Sequence, residues 1–212
     1  MSAAPHPLLE VTPPRFSQAR SRQSYEALVV AAKQVFSLRG FDGAQTPEIA
    51  SLAKVSVGTF YRYFTDKREV LLEVFRRDMA EAYQEVMAKL RPENFELTER
   101  KHTLDNILTI AIGHVSQDKR MHQLYLEMSL RDPEFSRIRN VFDHEAIARI
   151  ALLIPAVCPP GRVSDPNAMA AILYTTVRDC AMAISGAHGG LPIDRARGQA
   201  ALAEMLHRTL YG

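Results

Sequence analysis

The chain has 212 residues, of which 47% are hydrophobic and 24% charged, and its formal net charge is +2. This composition is ordinary for a soluble globular protein of one large domain or two modest ones. No apolar run approaches the roughly 18–20 residues of a membrane helix, and two cysteines, Cys158 and Cys180, provide no disulfide framework. The N-terminus lacks a signal-peptide pattern, so we expect a cytoplasmic location.

Positive charge is concentrated in the first third of the chain. Residues 11–68 contain nine Lys or Arg and four Asp or Glu, whereas residues 81–212 contain 15 basic and 16 acidic residues. A cluster of like charge is usually only a solvated face. Here it coincides with the short helices predicted below, which favours a nucleic-acid partner.

The first predicted elements are an N-terminal arm and one helix. Residues 1–20 have four prolines among the first 14 and no periodicity, which predicts a flexible arm. Ser21 is expected to cap a helix that ends near Arg39, with Gly40 as its stop. The helix has an apolar stripe with helical spacing: Tyr25, Leu28, Val29, Ala32 and Phe36.

Two short helices joined by a tight turn are predicted next. Thr46 is expected to cap the first, with Pro47 in the first helical position and Glu48 near the positive end of the helix dipole. The turn lies at residues 54–55, and Ser56 caps a second helix that ends near residue 64. The apolar residues expected inside are Ile49, Leu52, Ala53, Val55, Phe60 and Phe64.

The rest of the chain is also predicted to be helical. Asp66 and Glu69 form a capping-box-like pair for a helix from Lys67 to about Leu90, which is about 36 Å long. Further helices are expected over roughly 98–115, 118–130, 132–154, 165–188 and 192–211, with Gly189 and Gly190 ending the fourth of these. No alternating strand pattern occurs, so the fold class is all-α. The predicted domains are 21–66 and 67–212.

The second short helix carries more hydrogen-bonding side chains than a packed helix needs. Recognition of duplex DNA requires such side chains on base edges, further groups on phosphates, and a rigid core that holds the helix in the major groove. The residues predicted to contact DNA are Thr46, Lys54, Ser56, Val57, Thr59, Tyr61, Arg62, Tyr63 and Lys67.

Several residues of this segment occur in a spaced pattern: Gly40-Phe41, Glu48-Ile49-Ala50, Ala53, Val55-Ser56, Gly58-Thr59-Phe60-Tyr61, Tyr63-Phe64 and Lys67. With this pattern, residues 22–72 resemble the DNA-binding domain of TetR-family transcriptional regulators. The resemblance implies a repressor that a small molecule releases from its operator. It also implies that Tyr61 and Lys67 hold phosphates and that Thr59 and Arg62 lie near the bases.

Two residues depart from the family pattern. Lys54 stands in the turn where the family usually has Gly, and a positive φ there would cost a non-Gly residue on the order of 1 kcal/mol. Val57 stands where the family often has a polar or basic residue. Valine cannot donate a hydrogen bond to a base, but it can contact a thymine methyl group.

The last two helices have apolar residues on two sides, which predicts that each is buried on two sides. One side would cover the subunit's own core and the other a second copy of the chain, giving a two-fold four-helix interface. The residues predicted for this interface are Met169, Leu173, Val177, Ile184, Ala203, Leu206 and Leu210.

The middle helices are expected to enclose an apolar pocket for a small hydrophobic effector. The candidate lining residues are Ile110, His114, Met121, Tyr125, Met128, Phe142, Tyr174 and Arg178. Arg178 lies in an otherwise apolar helix and needs an anionic partner. That partner is either an acid on another helix or across the dimer, or a carboxylate of the effector. Adjacent Asp179 is expected to be a poor partner because it points to a different face.

Other functions are less well supported by the sequence. The histidines are scattered without metal-ligand spacing, and no phosphate loop, nucleophile motif or catalytic carboxylate pair occurs. We therefore expect no enzyme, no metal and no cofactor. The alternative is a helical small-molecule-binding or interaction protein that no longer binds specific DNA. Nonspecific binding across a nucleoid is disfavoured by the small net charge.

Overall fold

The computed structural model describes residues 19–187, 189 and 194–212. Over these residues the secondary structure is entirely helical, which confirms the all-α prediction. The helices are α1 (Ala19–Gly43), α2 (Thr46–Leu52), α3 (Val57–Tyr63), α4 (Lys67–Lys89), α5 (Arg100–Gln117), α6 (Lys119–Arg131), α7 (Pro133–Val157), α8 (Pro166–Ser185) and α9 (Arg195–Tyr211), with a 3-10 turn at Pro92–Phe95. Residues 1–18 of the predicted arm lie outside the described residues.

The boundaries of α1 differ from the prediction at its start. The helix already includes Ala19, so Ser21 is not its cap. Gly40 has φ 68° and ψ −176°, which interrupts the helical course. This left-handed φ is readily available to glycine. The predicted stop is therefore a kink, and one further turn carries the chain to Gly43.

The start of α2 is shifted by one residue. The capping residue is Gln45, whose carbonyl accepts hydrogen bonds from the amides of Glu48 at 3.1 Å and Ile49 at 3.2 Å. Thr46 is thus the first helical residue rather than the cap, and Pro47 is the second. Proline is tolerated at either position because both lie in the first turn, where no amide has an intrahelical partner.

The start of α4 agrees with the predicted capping pair in a modified form. Asp66 Oδ1 accepts a hydrogen bond from the amide of Glu69 at 2.8 Å. The Glu69 carboxylate does not return to Asp66 but accepts from the amide of Thr65 at 2.5 Å and from its hydroxyl at 2.9 Å. Three donors at the start of the helix are satisfied in this way.

The end of α8 differs from the prediction. Gly186, with φ 81°, caps the helix in the left-handed conformation, so the helix ends before Gly189. Asp165 caps the start, accepting from the amides of Asn167 and Ala168 at 3.0 Å. The predicted start of the last helix at residue 192 lies outside the described residues. α9 follows Asp194, which caps it with its side chain.

The chain divides into two compact units. Unit 1 contains residues 1–80 and 120–138, and unit 2 contains residues 81–119 and 139–212. α4 and α7 therefore contribute residues to both units, and α6 belongs almost wholly to unit 1. The predicted boundary after residue 66 does not coincide with this division, because Phe75 of α4 packs against Tyr125 of α6 and Phe135 of α7.

The core of unit 1 contains the predicted stripe of α1. All five stripe residues are buried, together with Ile49, Phe60 and Phe64. Ala53 and Val55 are only half-buried. Leu52 is exposed over 47% of its surface and lines an open groove beside Val30 of α1. The prediction that Leu52 faces inward is wrong. Leu52 is the last residue of α2, where it lines this groove together with Ala53 and Lys54.

The core of unit 2 changes the interpretation of α8 and α9. Four residues predicted for the subunit interface are buried in the core of their own subunit: Leu173, Ala203, Leu206 and Leu210. Met169, Val177 and Ile184 are partly buried against the same core. These residues therefore do not provide the outward face of the two helices. None of the described helices is both long and apolar enough to cross a membrane.

Candidate nucleic-acid interface

The turn between α2 and α3 is closed by backbone hydrogen bonds. The amide of Lys54 donates to the carbonyl of Ser51, and that of Val55 donates to the carbonyl of Ala50, each at 3.0 Å. These bonds end α2 and reverse the chain direction within a few residues. The predicted order of short helix, tight turn and short helix is present in the structure.

Lys54 has φ 57°, and no other non-glycine residue among those described has a positive φ. The left-handed conformation costs an L-residue roughly 1–2 kcal/mol. The turn thus has the geometry that glycine would adopt freely. The side chain of Lys54 is exposed, so this residue places a positive charge next to α3.

Ser56 and Thr59 form the start of α3. The Ser56 side chain accepts a hydrogen bond from the amide of Thr59 at 3.0 Å, and the two hydroxyl oxygens lie 2.9 Å apart. The prediction that Ser56 caps this helix is confirmed. Both hydroxyls therefore have a structural role, and each retains the capacity for a further hydrogen bond.

One face of α3 is buried and the opposite face is exposed. Phe60 is fully buried, whereas Tyr61 is 56% exposed, Val57 is 38% exposed and Arg62 is also exposed. At Gly58, an added Cβ would meet only the Ser56 oxygen at 3.8 Å. The exposed face thus presents a phenol, a guanidinium and an apolar side chain around a small residue, as direct contact with a groove requires.

Aromatic packing fixes the position of α3 against α1. Tyr25 of α1 stacks on Phe64 with ring centroids 5.2 Å apart, and it meets Tyr63 edge-on at 5.9 Å. Tyr63 is therefore half-buried and less available to a ligand than Tyr61. Phe60 contacts the rings of both Tyr61 and Phe64. This arrangement supplies the rigid core that the sequence predicted.

Charged residues connect α4 to α1 on the same unit. Arg77 donates from Nη1 to Oε2 of Glu26 at 2.5 Å and from Nε to Oε1 of Glu73 at 2.6 Å. Burial, followed by the Glu73 carboxylate, raises the pKa of Tyr25. The phenol beside these charges stays protonated, so it can donate a hydrogen bond within the network.

Lys67 lies in an arrangement that the sequence did not predict. Its ammonium donates to the carbonyls of Phe41 at 2.8 Å, Ala44 at 3.0 Å and Asp42 at 3.2 Å. It also lies 4.9 Å from the centroid of the Phe41 ring. The structure thus gives all three ammonium hydrogens an acceptor inside the protein, so the predicted phosphate contact would require Lys67 to leave these acceptors. Thr46 is half-buried in the first turn of α2.

Residues 28–74 match the family model described as bacterial regulatory proteins of the tetR family. The matched segment contains most of α1, all of α2 and α3, and the start of α4. This N-terminal segment is therefore a TetR-family domain.

Two relatives of this chain are regulators. It is 26% identical over 129 residues to the HTH-type transcriptional repressor BepR of Brucella suis, covering 61% of this chain and 60% of that protein. It is 32% identical over 62 residues to the fatty acid metabolism regulator protein of Bacillus subtilis, covering 29% of this chain and 32% of that protein. Both alignments thus span less than two thirds of the relative.

The fold of this chain is also seen in a crystal structure from Mesorhizobium loti, described as a putative TetR-family transcriptional regulator. The two share a TM-score of 0.71 at 18% identity, and the alignment covers 91% of this chain and 98% of the other. At this identity the likeness shows a common fold over nearly the whole chain.

The eight residues predicted to line an effector pocket are divided between the two units. Met121, Tyr125 and Met128 are buried in unit 1, where Tyr125 donates a hydrogen bond to Asp78 at 2.6 Å. Ile110, His114, Phe142, Tyr174 and Arg178 belong to unit 2. Within unit 2, His114 Nε2 lies 2.8 Å from a Glu85 carboxylate oxygen.

A polar cluster in unit 2 surrounds Asp143. Tyr174 donates to Asp143 Oδ1 at 2.5 Å, and Arg178 donates from Nη1 to Asp143 Oδ2 at 2.9 Å. Arg178 also donates to adjacent Asp179 at 2.9 Å, so the prediction that Asp179 is a poor partner is wrong. Burial, followed by the Asp143 carboxylate, raises the pKa of Tyr174. An acid on another helix thus satisfies Arg178, as the first alternative predicted.

Two members of this cluster were missed by sequence reasoning. Asp143 and Arg139 lie four residues apart on α7, so they face the same side of that helix. Arg139 Nε is buried and has no hydrogen-bond partner among the described residues. The spacing of the pair was the available signal, but nothing in the sequence placed α7 opposite Tyr174. No group of His, Cys, Asp or Glu in the described part of the chain could hold a metal ion.

Proposed function

We propose that this TetR-family protein is a sequence-specific DNA-binding regulator that inserts α3 into the major groove. The observation that carries this proposal is the two-sided character of α3, with Phe60 fully buried and Tyr61 and Arg62 exposed. A helix held rigidly by one face can present the other to base edges. The local excess of positive charge over residues 11–68 supports the same role.

The exposed residues divide into two proposed roles. Arg62, Thr59 and Val57 are the candidates for base contact, through hydrogen bonds or through contact with a thymine methyl group. Tyr61, Tyr63, Ser56, Thr46 and Lys54 are the candidates for sugar and phosphate contacts, which set register without reading sequence. Tyr63 is half-buried against Tyr25, so it is the less accessible of the two tyrosines in this proposal.

In vitro selection tests the proposal and does not require that the operator be identified first. The wild-type protein is incubated with a random-sequence duplex library, and the retained duplexes are sequenced over several rounds. We expect a short inverted repeat whose halves lie about 34–36 Å apart, because two symmetric subunits would each bind one half. No enriched motif at low salt would contradict specific DNA binding.

A dimer with two such helices is part of the proposal. The apolar side chains that α8 and α9 expose are Ile172, 65% exposed, and Met205, 45% exposed. We propose that these outward faces form the four-helix interface, in place of the inward-facing residues that the sequence suggested. Burial of large apolar side chains is the main favourable contribution to such association.

Regulation by a small effector is the remaining part of the proposal. The relative from Brucella suis is named a repressor, and we propose repression here also. An effector would bind one conformation of the protein more tightly than the other and so change operator affinity. The apolar residues of unit 2, among them Ile110 and Phe142, favour a ligand with a hydrophobic body.

The cluster around Asp143 supports an anionic group on the effector. Arg178 already pairs with Asp143 and Asp179, whereas Arg139 lies four residues before Asp143 on α7. Arg139 Nε lacks a partner among the described residues, and buried donors of this kind favour an acceptor. A carboxylate is the acceptor that guanidinium groups bind best.

Thermal shift with a series of fatty and aromatic carboxylic acids tests the effector class. Binding to the folded state raises the melting temperature, so we expect at least one acid to stabilise the wild type. Arg139→Met should abolish that shift, whereas the matched variant Arg149→Met, at an exposed position on the same helix, should retain it. Equal shifts in both variants, or no shift with any acid, would exclude an anionic effector at Arg139.

The alternative function is a helical small-molecule-binding or interaction protein without specific DNA binding. The internal hydrogen bonds of Lys67 favour it to a degree, because one predicted phosphate contact is occupied. The exposure of Tyr61 and Arg62 opposes it. The selection experiment separates the two, since only a DNA-binding regulator enriches a motif.

A further inference from the structure

The Lys67 ammonium has as many acceptors as it has hydrogens. Ammonium carries three donors and no acceptor, and its three carbonyl partners lie between 2.8 and 3.2 Å away. The ring of Phe41 lies on the same group at 4.9 Å, a distance at which a cation is attracted to an aromatic face. Moving this group to a phosphate would break all of these contacts at once.

The three acceptors lie where the chain leaves α1 and enters α2. The Gly40 kink interrupts α1, which ends at Gly43, and α2 begins at Thr46. Carbonyls at a helix end lack intrahelical partners and favour a nearby cation. Ala44, whose carbonyl is one of the acceptors, is fully buried. Lys67 therefore satisfies at least one backbone carbonyl, that of Ala44, in a residue that solvent does not reach.

We infer that Lys67 is a positioning residue that holds the α1–α2 connection against the first turn of α4, and that it is not a phosphate ligand. α2 and α3 follow directly from this connection, so its position sets where α3 lies relative to α4. Two further ion pairs join α4 to α1, from Arg77 to Glu26 and from Asp78 to Lys33. A movement of the first three turns of α4 is thereby passed to α3. The consequence for DNA rests on the proposed function.

Salt dependence separates a positioning residue from a phosphate ligand. The probe is the duplex that the wild type selects from a random library, and the logarithm of the binding constant is plotted against the logarithm of salt concentration. Each lost phosphate contact reduces the slope by about 0.9 on duplex DNA. Lys67→Met should weaken binding by the same factor at every salt concentration. The matched variant Lys54→Ala should reduce the slope by about 0.9 per subunit.

Two controls exclude a simple loss of folding. Affinities are measured at a temperature where circular dichroism shows the variant folded, and concentrations are corrected for the active fraction by titration at saturating duplex. A purely stabilising lysine would leave the corrected affinity at the wild-type value, which would overturn the positioning role. Lys67→Arg keeps the charge but replaces a compact ammonium with a planar fork, so we expect it to recover the affinity only in part.

Chemical footprinting tests the same inference on the wild type, independently of any variant. Acetic anhydride modifies exposed lysines, and mass spectrometry reads the modification at each site. We expect Lys67 to be protected both in free protein and in the duplex complex, and Lys54 to be modified in free protein and protected in the complex. Modification of Lys67 in free protein with protection only by duplex, or a slope change with Lys67→Met, would overturn the inference. If the wild type selects no duplex, the proposed function fails, and the free-protein footprint still decides the role of Lys67.

Discussion

Arg77 of α4 and Glu26 of α1 form a two-point ion pair, with Nη2 donating to Oε1 at 3.1 Å and Nη1 donating to Oε2 at 2.5 Å. Nε of the same arginine donates to Glu73. Because the Arg77 side chain is only 17% exposed and that of Glu73 only 13%, these bonds are weakly screened by solvent. The pair therefore links α4 to α1, the helix whose Tyr25 packs against Tyr63 of α3.

Removal of Arg77 should lower the free energy of unfolding. Arg77→Met would leave the Glu73 carboxylate with Arg76 as its remaining ion pair and deprive Glu26 of both hydrogen bonds. We expect a loss of about 2–3 kcal/mol in the free energy of unfolding, below the value for a fully buried pair because Glu26 is partly exposed. Urea denaturation measures this.

Arg208→Met is the matched control for that variant. Arg208 pairs with Glu204 one turn away on α9, and both side chains are more than half exposed. Exposed pairs of this kind contribute little to stability, so we expect a change within about 0.5 kcal/mol. Equal losses for the two variants would contradict the argument from burial.

Lys54→Gly should separate stability from DNA affinity. Glycine removes the cost of the left-handed conformation at φ 57°, which we expect to raise the free energy of unfolding by about 0.5–1 kcal/mol despite the greater chain entropy of glycine. Affinity for the selected duplex should fall, because the exposed ammonium is lost. Denaturation and fluorescence anisotropy on the same samples check the two effects.

Lys54→Ala serves as the comparison, since it removes the charge and keeps the strain. It should lose affinity as Lys54→Gly does, without the gain in stability. A Lys54→Gly protein that is less stable than Lys54→Ala would show that the turn does not carry the strain inferred from its φ.

The helices of this protein were predictable because their signals are local. The capping roles of Ser56, Asp66 and Asp165 can be predicted from a few adjacent residues, because each side chain accepts from amides only two or three residues later. The apolar stripe of α1 follows from helical spacing alone. The strain at Lys54 also followed, because the cost of a left-handed φ depends mainly on the residue itself, whereas Gly40 was predicted as a helix stop and is a kink.

The partners of long polar side chains were not predictable in the same way. Lys67 was assigned to a phosphate because the family pattern places a lysine there, but its acceptors lie 23 to 26 residues earlier in the chain. Likewise, Arg178 finds Asp143 at a separation of 35 residues. Such contacts depend on how helices pack, which neither periodicity nor spacing specifies.

The outward-facing residues of α8 and α9 were not identified from the sequence, for a related reason. Both helices carry apolar residues on more than one side, and periodicity does not tell which side covers the subunit's own core. The structure assigns Leu206 and Leu210 to that core and leaves Ile172 and Met205 outside. The sequence therefore did not tell which residues of these helices face outward, and the subunit interface stays a proposal.

The stability of unit 1 should depend on pH through Asp132. Arg68 donates two hydrogen bonds to this carboxylate, one of them from Nη2 at 2.8 Å, and they hold the pKa of Asp132 below its usual value. A carboxyl group whose pKa is lower in the folded state stabilises the fold at pH values above its unfolded pKa, which is about 3.9 for Asp. That contribution is lost as the pH falls through the folded pKa.

Asp132→Asn tests this pH dependence. Asparagine can still cap α7 by accepting from the amide of Glu134, as Asp132 does at 2.9 Å, so the variant removes mainly the charge. We expect the wild type to be more stable by about 1 kcal/mol at neutral pH, since Arg68 is partly exposed. The difference should shrink toward zero in acid. A constant difference across the range would contradict the assignment.

The subunit interface should respond to charge on the outward faces of α8 and α9. Ile172→Asp and Met205→Asp place a carboxylate on faces that we propose to be buried between subunits, where an unpaired charge is strongly disfavoured. We expect both variants to elute as monomers in size-exclusion chromatography with light scattering, while keeping the wild-type circular dichroism spectrum. Leu97→Asp, at an 83% exposed position in unit 2, should remain dimeric.

The most direct test of the whole account compares the base preference of wild-type protein and Arg62→Ala by duplex selection. We predict that the wild type enriches an inverted repeat and that Arg62→Ala enriches the same repeat with relaxed preference at one position in each half. Loss of a direct base contact typically costs about 1–3 kcal/mol of discrimination at that position. An unchanged motif in Arg62→Ala would show that Arg62 does not contact the bases. The absence of any motif for the wild type would contradict the role of α3 as a DNA-recognition helix.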